Sequence, residues 1–254
     1  MLFFKKILNT KSETVEQKDK RLNNRYPVGA NFPIKANVRL IGRDEMGEPL
    51  AQSLEEGRDW RCRLLDISRK GVSVGLSPSA SSKRGDPAWL TLSLGEDSLT
   101  VPAYVAHWRV SRIESICGLA VDFPEPSMQK AFLQLVEPVA MVSEMQMVNP
   151  AKLVQDAPGL KMEQYTGSGT TRLSVWRDPT TKGIMAFEFQ LADYLVRWST
   201  GMEELDISRA SGSRALSEAQ MAEITWLFCL SATCLDKRVA PDVREYLGKL
   251  VSVQ

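Results

Sequence analysis

Two short groups of polar residues in the first third of the chain suit the binding of a charged nucleotide. Arg21 and Arg25 form an RxxxR motif, and the run from Asp66 to Gly71 reads DISRKG, a DxSxxG motif. Arginines present forked, permanently charged donors that suit phosphate oxygens and the acceptor edge of guanine. Asp66 can accept from guanine N–H groups, Ser68 supplies a hydroxyl, and Gly71 lets the backbone approach closely. The pair of motifs therefore indicates a compact ligand carrying both phosphate and guanine.

Each of these motifs also has an ordinary structural explanation. An arginine pair on an exposed basic segment is usually only solvated. Asp-x-Ser before a glycine is a common turn in which side chains bond to nearby backbone groups. Neither motif is specific alone, whereas both together, in this order and on a strand pattern, are much less expected by chance.

Two other motifs carry weaker signals. Residues 71–75 spell GxSxG, but a serine-hydrolase elbow needs a strand-to-helix turn, and Ser73 lies between two valines in a strand-like alternation. The single histidine, His107, is the one candidate base. Residues 167–171 read Gly-Ser-Gly-Thr-Thr, which lacks the third glycine and the Lys-Ser/Thr ending of a phosphate loop. We therefore expect a strand and a turn at these two places, and no enzyme.

Composition narrows the function classes further. The 254 residues include 32 Lys and Arg against 31 Asp and Glu, so no global charge favours nucleic acid. The four cysteines form no CxxC pair, which disfavours structural zinc and is typical of reduced cytosolic thiols. The N-terminus does not resemble a signal peptide, and no apolar run is long enough to span a membrane. We expect a cytoplasmic protein without metal, nucleic-acid partner or transmembrane segment.

The segment that carries the motifs has the sequence pattern of short β-strands. Turn residues separate its alternating apolar and polar runs, and closure into a barrel would remove exposed sheet edges. Pro138 should kink or split the helix that follows at 127–147. A polar stretch at 42–59 is expected to form a long hairpin loop. The six expected strands are 34–40, 60–64, 72–76, 89–94, 101–110 and 117–123.

The sequence of the C-terminal part predicts an α+β unit of antiparallel strands followed by helices. Strands are expected at 171–177, 183–191 and 194–199. A helix at 216–235 should begin after Ser213 or Ser217, with Glu218 and Glu223 on its solvent face. A short helix at 242–250 follows Pro241, which suits a first helical position. The aromatic residues of this unit, Trp176, Phe187, Phe189, Trp198 and Trp226, indicate a core more than a ligand cage.

With these residues in place, the chain resembles the PilZ domain family, bacterial receptors for cyclic di-GMP. The resemblance covers the two motifs, the strand at 105–108 and the closing strand at 118–123. It implies a six-stranded antiparallel barrel with a trailing helix. In this family the arginine arm is flexible without ligand and wraps around the bound dinucleotide, which changes how the domain meets its neighbours.

The resemblance also implies residue roles. Arg21 and Arg25 would hold the phosphates and guanines, while Asp66 and Ser68 would read guanine and Gly71 would shape the turn. Trp108 would stack on a base, with a barrel-core tryptophan as an equally weighted alternative.

Three further positions qualify this implied site. Lys20 occupies a position thought to influence how many ligand molecules bind. Lys70 replaces a small residue common in the family, and the 42–59 insert could shade the site.

We therefore expect a non-enzymatic cyclic di-GMP effector that needs no cofactor beyond this ligand. Ligand binding would order the RxxxR arm onto the barrel and switch an interaction with the C-terminal unit or with a partner, such as a motility or secretion component; a homodimer is also open. The alternative is a ligand-independent PilZ-like adaptor. The expected boundaries are a basic arm at 1–20, the barrel and helix at 21–139, a helical linker at 140–160 and an output unit at 161–254.

Overall fold

The computed structural model describes residues 24–212 and 215–252. The chain forms two compact units, of which the first reaches Val136 and the second begins at Glu137. The arm expected at 1–20, together with Lys20 and Arg21, lies outside the described residues. No helix within the described ranges has both the length and the apolar character needed to cross a membrane.

The first unit is a closed antiparallel barrel. Its strand order is β3-β2-β5-β6-β7-β4, and pairing of β3 with β4 closes the ring of six strands, while the short β1 adds to β3. Each expected strand overlaps an observed one, so the predicted six-stranded barrel is confirmed. The elements are β1 Tyr26–Pro27, β2 Lys35–Leu40, β3 Arg58–Ser68, β4 Gly71–Leu76, β5 Pro87–Leu94, β6 Asp97–Val110, β7 Ser115–Val121 and the helix α1 Pro126–Val142.

One face of each strand fills the barrel. The row of paired positions Ile67–Val72–Leu119–Val105 is buried from β3 to β6. Because paired residues in antiparallel strands share a face, this row marks the interior and neighbouring positions on the same strands face outward.

The helix α1 is continuous through its proline and ends earlier than expected. It runs without interruption past Pro138 and ends at Val142, so the helix is not split at the proline. The expected extension to residue 147 is wrong because Gln146 and Met147 pair with a strand instead. Phe132 on this helix is fully buried and packs against Phe123, with ring centroids 5.4 Å apart.

The polar stretch between β2 and β3 is held by a buried ion pair. Arg43 donates to both carboxylate oxygens of Asp86, with 2.8 Å from Nε to Oδ2. The backbone N–H of Lys83 and the hydroxyl of Ser82 each donate to the same carboxylate at 2.9 Å. The loop is therefore fastened to the turn that precedes β5.

The second unit is a six-stranded antiparallel meander with two helices, which confirms the expected α+β class. Three of its strands and a 3₁₀ helix at Pro150–Lys152 were not anticipated from the sequence. The elements are β8 Gln146–Met147, β9 Lys161–Thr166, β10 Arg172–Arg177, β11 Ile184–Leu191, β12 Tyr194–Ser199, β13 Asp206–Arg209, α2 Glu218–Ala232 and α3 Pro241–Ser252.

Aromatic packing joins α2 to the meander. The rings of Phe187 and Phe228 stack with centroids 6.0 Å apart, and Phe189 meets Phe228 edge-on. Helix α2 begins with a capping box in which Ser217 accepts from the backbone of Gln220. The expected solvent-facing position of Glu223 is wrong, since Glu223 and its neighbour Ile224 are both buried on α2.

Candidate functional site

The arginine of the arm that the structure describes lies beside the aspartate of the second motif. Strand β1 pairs with the end of β3, with Pro27 opposite Asp66. This pairing places Arg25 Nη1 3.6 Å from Asp66 Oδ1. Half of the Arg25 side chain remains exposed, so its guanidinium can reach a further anion. The other arginine, Arg21, lies outside the described residues.

The carboxylate of Asp66 has fewer hydrogen-bond donors around it than it can accept. Its Oδ1 is buried and has no hydrogen-bond partner among the described residues, since 3.6 Å to Arg25 exceeds hydrogen-bond distance. Burial raises the pKa of Asp66, and the charges of Arg25 and His107 lower it only in part. A buried acceptor without a donor costs about 1–3 kcal/mol. The carboxylate therefore has capacity for a donor supplied by a ligand.

Ser68 and Gly71 form the hairpin between β3 and β4. The Ser68 hydroxyl donates to the Gly71 carbonyl oxygen at 3.0 Å, and both residues are buried. A Cβ at Gly71 would lie 2.0 Å from the carbonyl oxygen of Leu119, so no side chain fits there. Because the hydroxyl proton of Ser68 is used in this hydrogen bond, Ser68 can act toward a ligand only as a hydrogen-bond acceptor.

On the outer face of the barrel, the strand positions between these motifs and β6 carry small residues. The register joins Asp66, Ser73, Gly118 and His107 in one row across β3, β4, β7 and β6. The next row joins Ser68, Gly71, Ala120 and Tyr104. We call the four central positions, Gly71, Ser73, Gly118 and Ala120, the outer floor. Gly71, Ser73 and Gly118 are buried and Ala120 is partly exposed, and none of the four carries a large side chain.

Two ring side chains of β6 border the outer floor. The imidazole of His107 lies against Gly118, where a Cβ would be 1.8 Å from its Cε1 atom. Tyr104 is half exposed and stands at the end of the neighbouring row. The sequence analysis assigned neither residue to the ligand. The sequence signal for these two residues was the alternation of outward-facing positions along β6. A β-bulge interrupts this alternation between Val105 and His107.

Trp108 is not brought into this group. The register of β6 against β7 shifts between Val105 and His107, so Ala106 is an extra residue that reverses the facing of those beyond it. Trp108 consequently pairs with Cys117, which pairs with Val74, and both of these partners are fully buried. The tryptophan therefore lies on the interior side of β6, opposite to His107.

An ion pair closes one end of the floor. Arg63 Nη2 lies 3.1 Å from Oε1 of Glu114. The same carboxylate covers Gly75, where a Cβ would meet Glu114 Oε2 at 2.3 Å. The arrangement limits the outer floor on the side of the β6–β7 hairpin.

The remaining chemistry of the described residues is sparse. No cluster of three or more His, Cys, Asp or Glu side chains suited to a metal occurs within them. Burial raises the pKa of the Cys62 and Cys117 thiols to about 12, which keeps both protonated. Ser73 lies within the strand β4 and not at a strand-to-helix turn, so the GxSxG run is no nucleophile elbow. The arrangement is suited to binding.

No protein-family model matches the chain, and no curated protein matches it in sequence. Among solved structures, it is similar to the PilZ domain of YcgR from Escherichia coli with c-di-GMP, at 10% identity and a TM-score of 0.32, covering 45% of this chain and 86% of that chain.

Two further solved structures are similar to the chain. The PilZ domain of CeSA from a cellulose-synthesizing bacterium aligns at 17% identity and a TM-score of 0.30, over 45% of this chain and 95% of that chain. The PlzA protein of Borreliella burgdorferi in complex with c-di-GMP aligns at 10% identity and a TM-score of 0.31, over 82% and 95%. The six-stranded antiparallel barrel is established by the strand order of this chain itself.

Proposed function

We propose that this protein is a receptor for cyclic di-GMP that binds the dinucleotide on the outer floor of its barrel. The observation that carries the proposal is the buried Asp66 Oδ1, which has no hydrogen-bond donor among the described residues and lies 3.6 Å from the half-exposed Arg25. A ligand with guanine N–H donors and phosphate oxygens satisfies both groups at once.

Each side chain of the site then has a distinct task. Arg25, together with Arg21, holds phosphate oxygens and the acceptor edge of guanine. Asp66 accepts from the guanine N–H groups, and Ser68 offers its lone pairs. Gly71 and the rest of the outer floor admit the flat face of a base, and Tyr104 borders it. Stacking of a base on an aromatic side chain contributes about 1–3 kcal/mol.

The same contacts suggest how binding could act as a signal. The Arg25–Asp66 pair is long and half exposed, so it contributes little on its own and is readily exchanged. Ligand phosphates compete for Arg25, and the arm that carries both arginines becomes ordered against the barrel. This ordering switches an interaction with the C-terminal unit or with a partner protein, provided that the ligand binds the ordered state more tightly.

Calorimetric titration with cyclic di-GMP tests the proposal. We expect selective binding at micromolar affinity or tighter, about −8 kcal/mol, with GTP as the comparison ligand. Arg21→Ala with Arg25→Ala should abolish this binding. Arg58→Ala is the matched control, because Arg58 is an exposed arginine at the start of β3, at the opposite end of the strand from Asp66.

The opposite outcomes are equally clear. Absence of binding by the unaltered protein, or undiminished binding by the double variant, would exclude this receptor mechanism. A folded barrel without nucleotide affinity would instead fit the ligand-independent adaptor, whose function lies in its protein contacts.

A further inference from the structure

An apolar groove opens between the helix α1 and the hairpin that joins β5 to β6. Ala131 and Leu135 line it from one face of the helix. Leu94 and Leu99 line it from the two strands of the hairpin, and Ile34 lines it from the residue before β2. All of these residues belong to the first unit. We call this feature the α1 groove.

The surface that the α1 groove exposes is mostly apolar. Leu94, Leu99 and Leu135 each keep 6% of their surface exposed, and Ala131 on the helix is partly exposed. The cavity has a volume of about 50 Å³. Because one water needs about 10–15 Å³ by this measure, the groove has room for about four waters or one aromatic ring.

One end of the α1 groove is acidic. Asp97 lines it and is exposed, and the neighbouring Glu96 is exposed as well. Among the described residues, no lysine or arginine lines the groove. A suitable occupant therefore combines a large apolar side chain with a positive charge close to it.

The chain itself contains a segment of this chemistry. Residues 1–8 read MLFFKKIL, so that two phenylalanines are followed directly by two lysines. The rest of the chain outside the described residues is 9–23, 213–214 and 253–254, and none of these stretches contains an aromatic residue. We call residues 1–8 the apolar tip.

The apolar tip has enough chain behind it to reach the groove. Asn24, where the description begins, leads into β1, which pairs with the end of β3. The pairing of β3 with β2 and of β2 with β5 puts the end of β3 and the α1 groove at the same end of the barrel. From β3 to β6 is three strand spacings of about 4.8 Å. Residues 9–23 can span up to about 50 Å when extended.

We propose that the α1 groove is the docking site of the apolar tip, with one ring of the Phe3–Phe4 pair in the groove and Lys5 and Lys6 beside its acidic end. Docking fixes residues 9–23 at both ends, so that this stretch, which carries Arg21, becomes a closed loop. None of the described residues assigned to the nucleotide lines the groove. The inference consequently stands whether or not the chain binds cyclic di-GMP.

The test is an NMR experiment on the full-length protein, with labelled Ile and Leu methyl groups and labelled Phe rings. We expect nuclear Overhauser effects between the ring protons of Phe3 or Phe4 and the methyl groups of Leu94, Leu99 and Leu135. Phe3→Ser with Phe4→Ser should remove these effects and shift the same methyl resonances. Val15→Ser, which also removes an apolar side chain but lies outside the apolar tip, should leave both unchanged.

A second pair of variants tests the groove side. Ala131→Lys places a positive charge in the groove and should abolish the Overhauser effects from the phenylalanine rings, because the charge both occupies the space and repels Lys5 and Lys6. Gln129→Lys is the matched control, since it adds the same charge to an exposed position of α1 that does not line the groove. This control should preserve the effects.

Three results would overturn the inference. The first is an absence of Overhauser effects from both rings to the groove methyl groups. The second is that the effects persist in the Ala131→Lys protein. The third concerns a mixture of chains labelled only at Phe with chains labelled only at methyl groups. Effects seen at full strength in that mixture would show that the groove receives the tip of a second copy instead.

Discussion

The imidazole of His107 on β6 lies so close to Gly118 on β7 that a Cβ there would sit 1.8 Å from the ring. His107 can cover the neighbouring strand only because this position has no side chain. The contact carries the ring toward Asp66, whose pKa responds to the His107 charge. One glycine thus sets the position of a titratable ring on the proposed ligand surface.

Gly118→Ala should displace this ring with little loss of stability. His107 is exposed and can swing outward, so we expect the free energy of unfolding to fall by less than about 1.5 kcal/mol, the low end of overpacking. Affinity for cyclic di-GMP should change more strongly than stability. Denaturant unfolding and calorimetric titration measure the two quantities. If His107→Ala did not relieve the stability loss of Gly118→Ala, the steric explanation would fail.

Gly71→Ala should be far more damaging to the fold. Here the added Cβ would meet the Leu119 carbonyl oxygen at 2.0 Å, and backbone cannot swing away. We expect a loss of about 1–3 kcal/mol or more in unfolding free energy. Gly248→Ala in α3 is the matched control, because a Cβ there meets nothing within 4 Å and should stabilise the helix by about 0.5–1 kcal/mol. Equal effects of the two substitutions on thermal unfolding would contradict this account.

Part of the barrel was predictable because some of its strands, among them β2 and β5, alternate with period two. The alternation of residues 34–40 and 89–94 directly reflects which side chains enter the core. The strand expected at 60–64 was too short, because β3 continues to Ser68 and the DxSxxG motif forms its end and the turn to β4. These signals are local, and their physical causes act within a few residues.

The aromatic edge of the site was not predictable in the same way. Extrapolating the alternation from Tyr104 puts Trp108 on the same face, but the extra residue Ala106 reverses the phase. The bulge depends on how β6 meets β7, which is a non-local pairing. A similar register shift at Leu65 sets the facing of Asp66. Sequence patterns therefore identified the strands but could not show that the His107 side chain faces outward.

The buried Arg43–Asp86 pair should be important for the stability of the first unit. Burial alone would raise the pKa of Asp86, but hydrogen bonds from Arg43, Lys83 and Ser82 hold it below its usual range. Arg43→Met leaves this carboxylate without its cation, and we expect the free energy of unfolding to fall clearly more than for the control substitution. The control is Lys249→Ala, which removes an exposed pair with Glu245 and should cost below about 0.5 kcal/mol.

The same pair predicts a pH dependence for the fold. Because the folded-state pKa of Asp86 is lowered, its stabilisation is present above the unfolded pKa and is lost as the pH falls through the folded value. Chemical unfolding from neutral pH downward measures this loss. The Arg43→Met protein should show a weaker acid dependence, and an unchanged slope would count against the ion pair as its source.

Asp66 should give the opposite sign for stability. Its pKa is raised by burial, so the folded protein retains this proton more readily than the unfolded chain, and stability falls as the pH rises between the two values. Asp66→Asn removes the buried charge and should leave the free protein as stable, or more stable, at neutral pH. The same substitution replaces an acceptor oxygen with an amide donor, so binding of cyclic di-GMP should be lost.

Ligand affinity should fall on acidification for the same reason. Guanine N–H groups need the ionised carboxylate as their acceptor. An ordinary aspartate has a pKa of about 4. Because the pKa of Asp66 is raised, its protonation begins at a higher pH. Titrations from neutral pH downward should therefore show weaker binding at the acidic end, with proton release on binding where free Asp66 is still partly protonated. Asp66→Glu keeps an ionisable acceptor and should retain part of this dependence. Affinity that stayed constant over the whole range would mean that the Asp66 carboxylate does not receive the ligand.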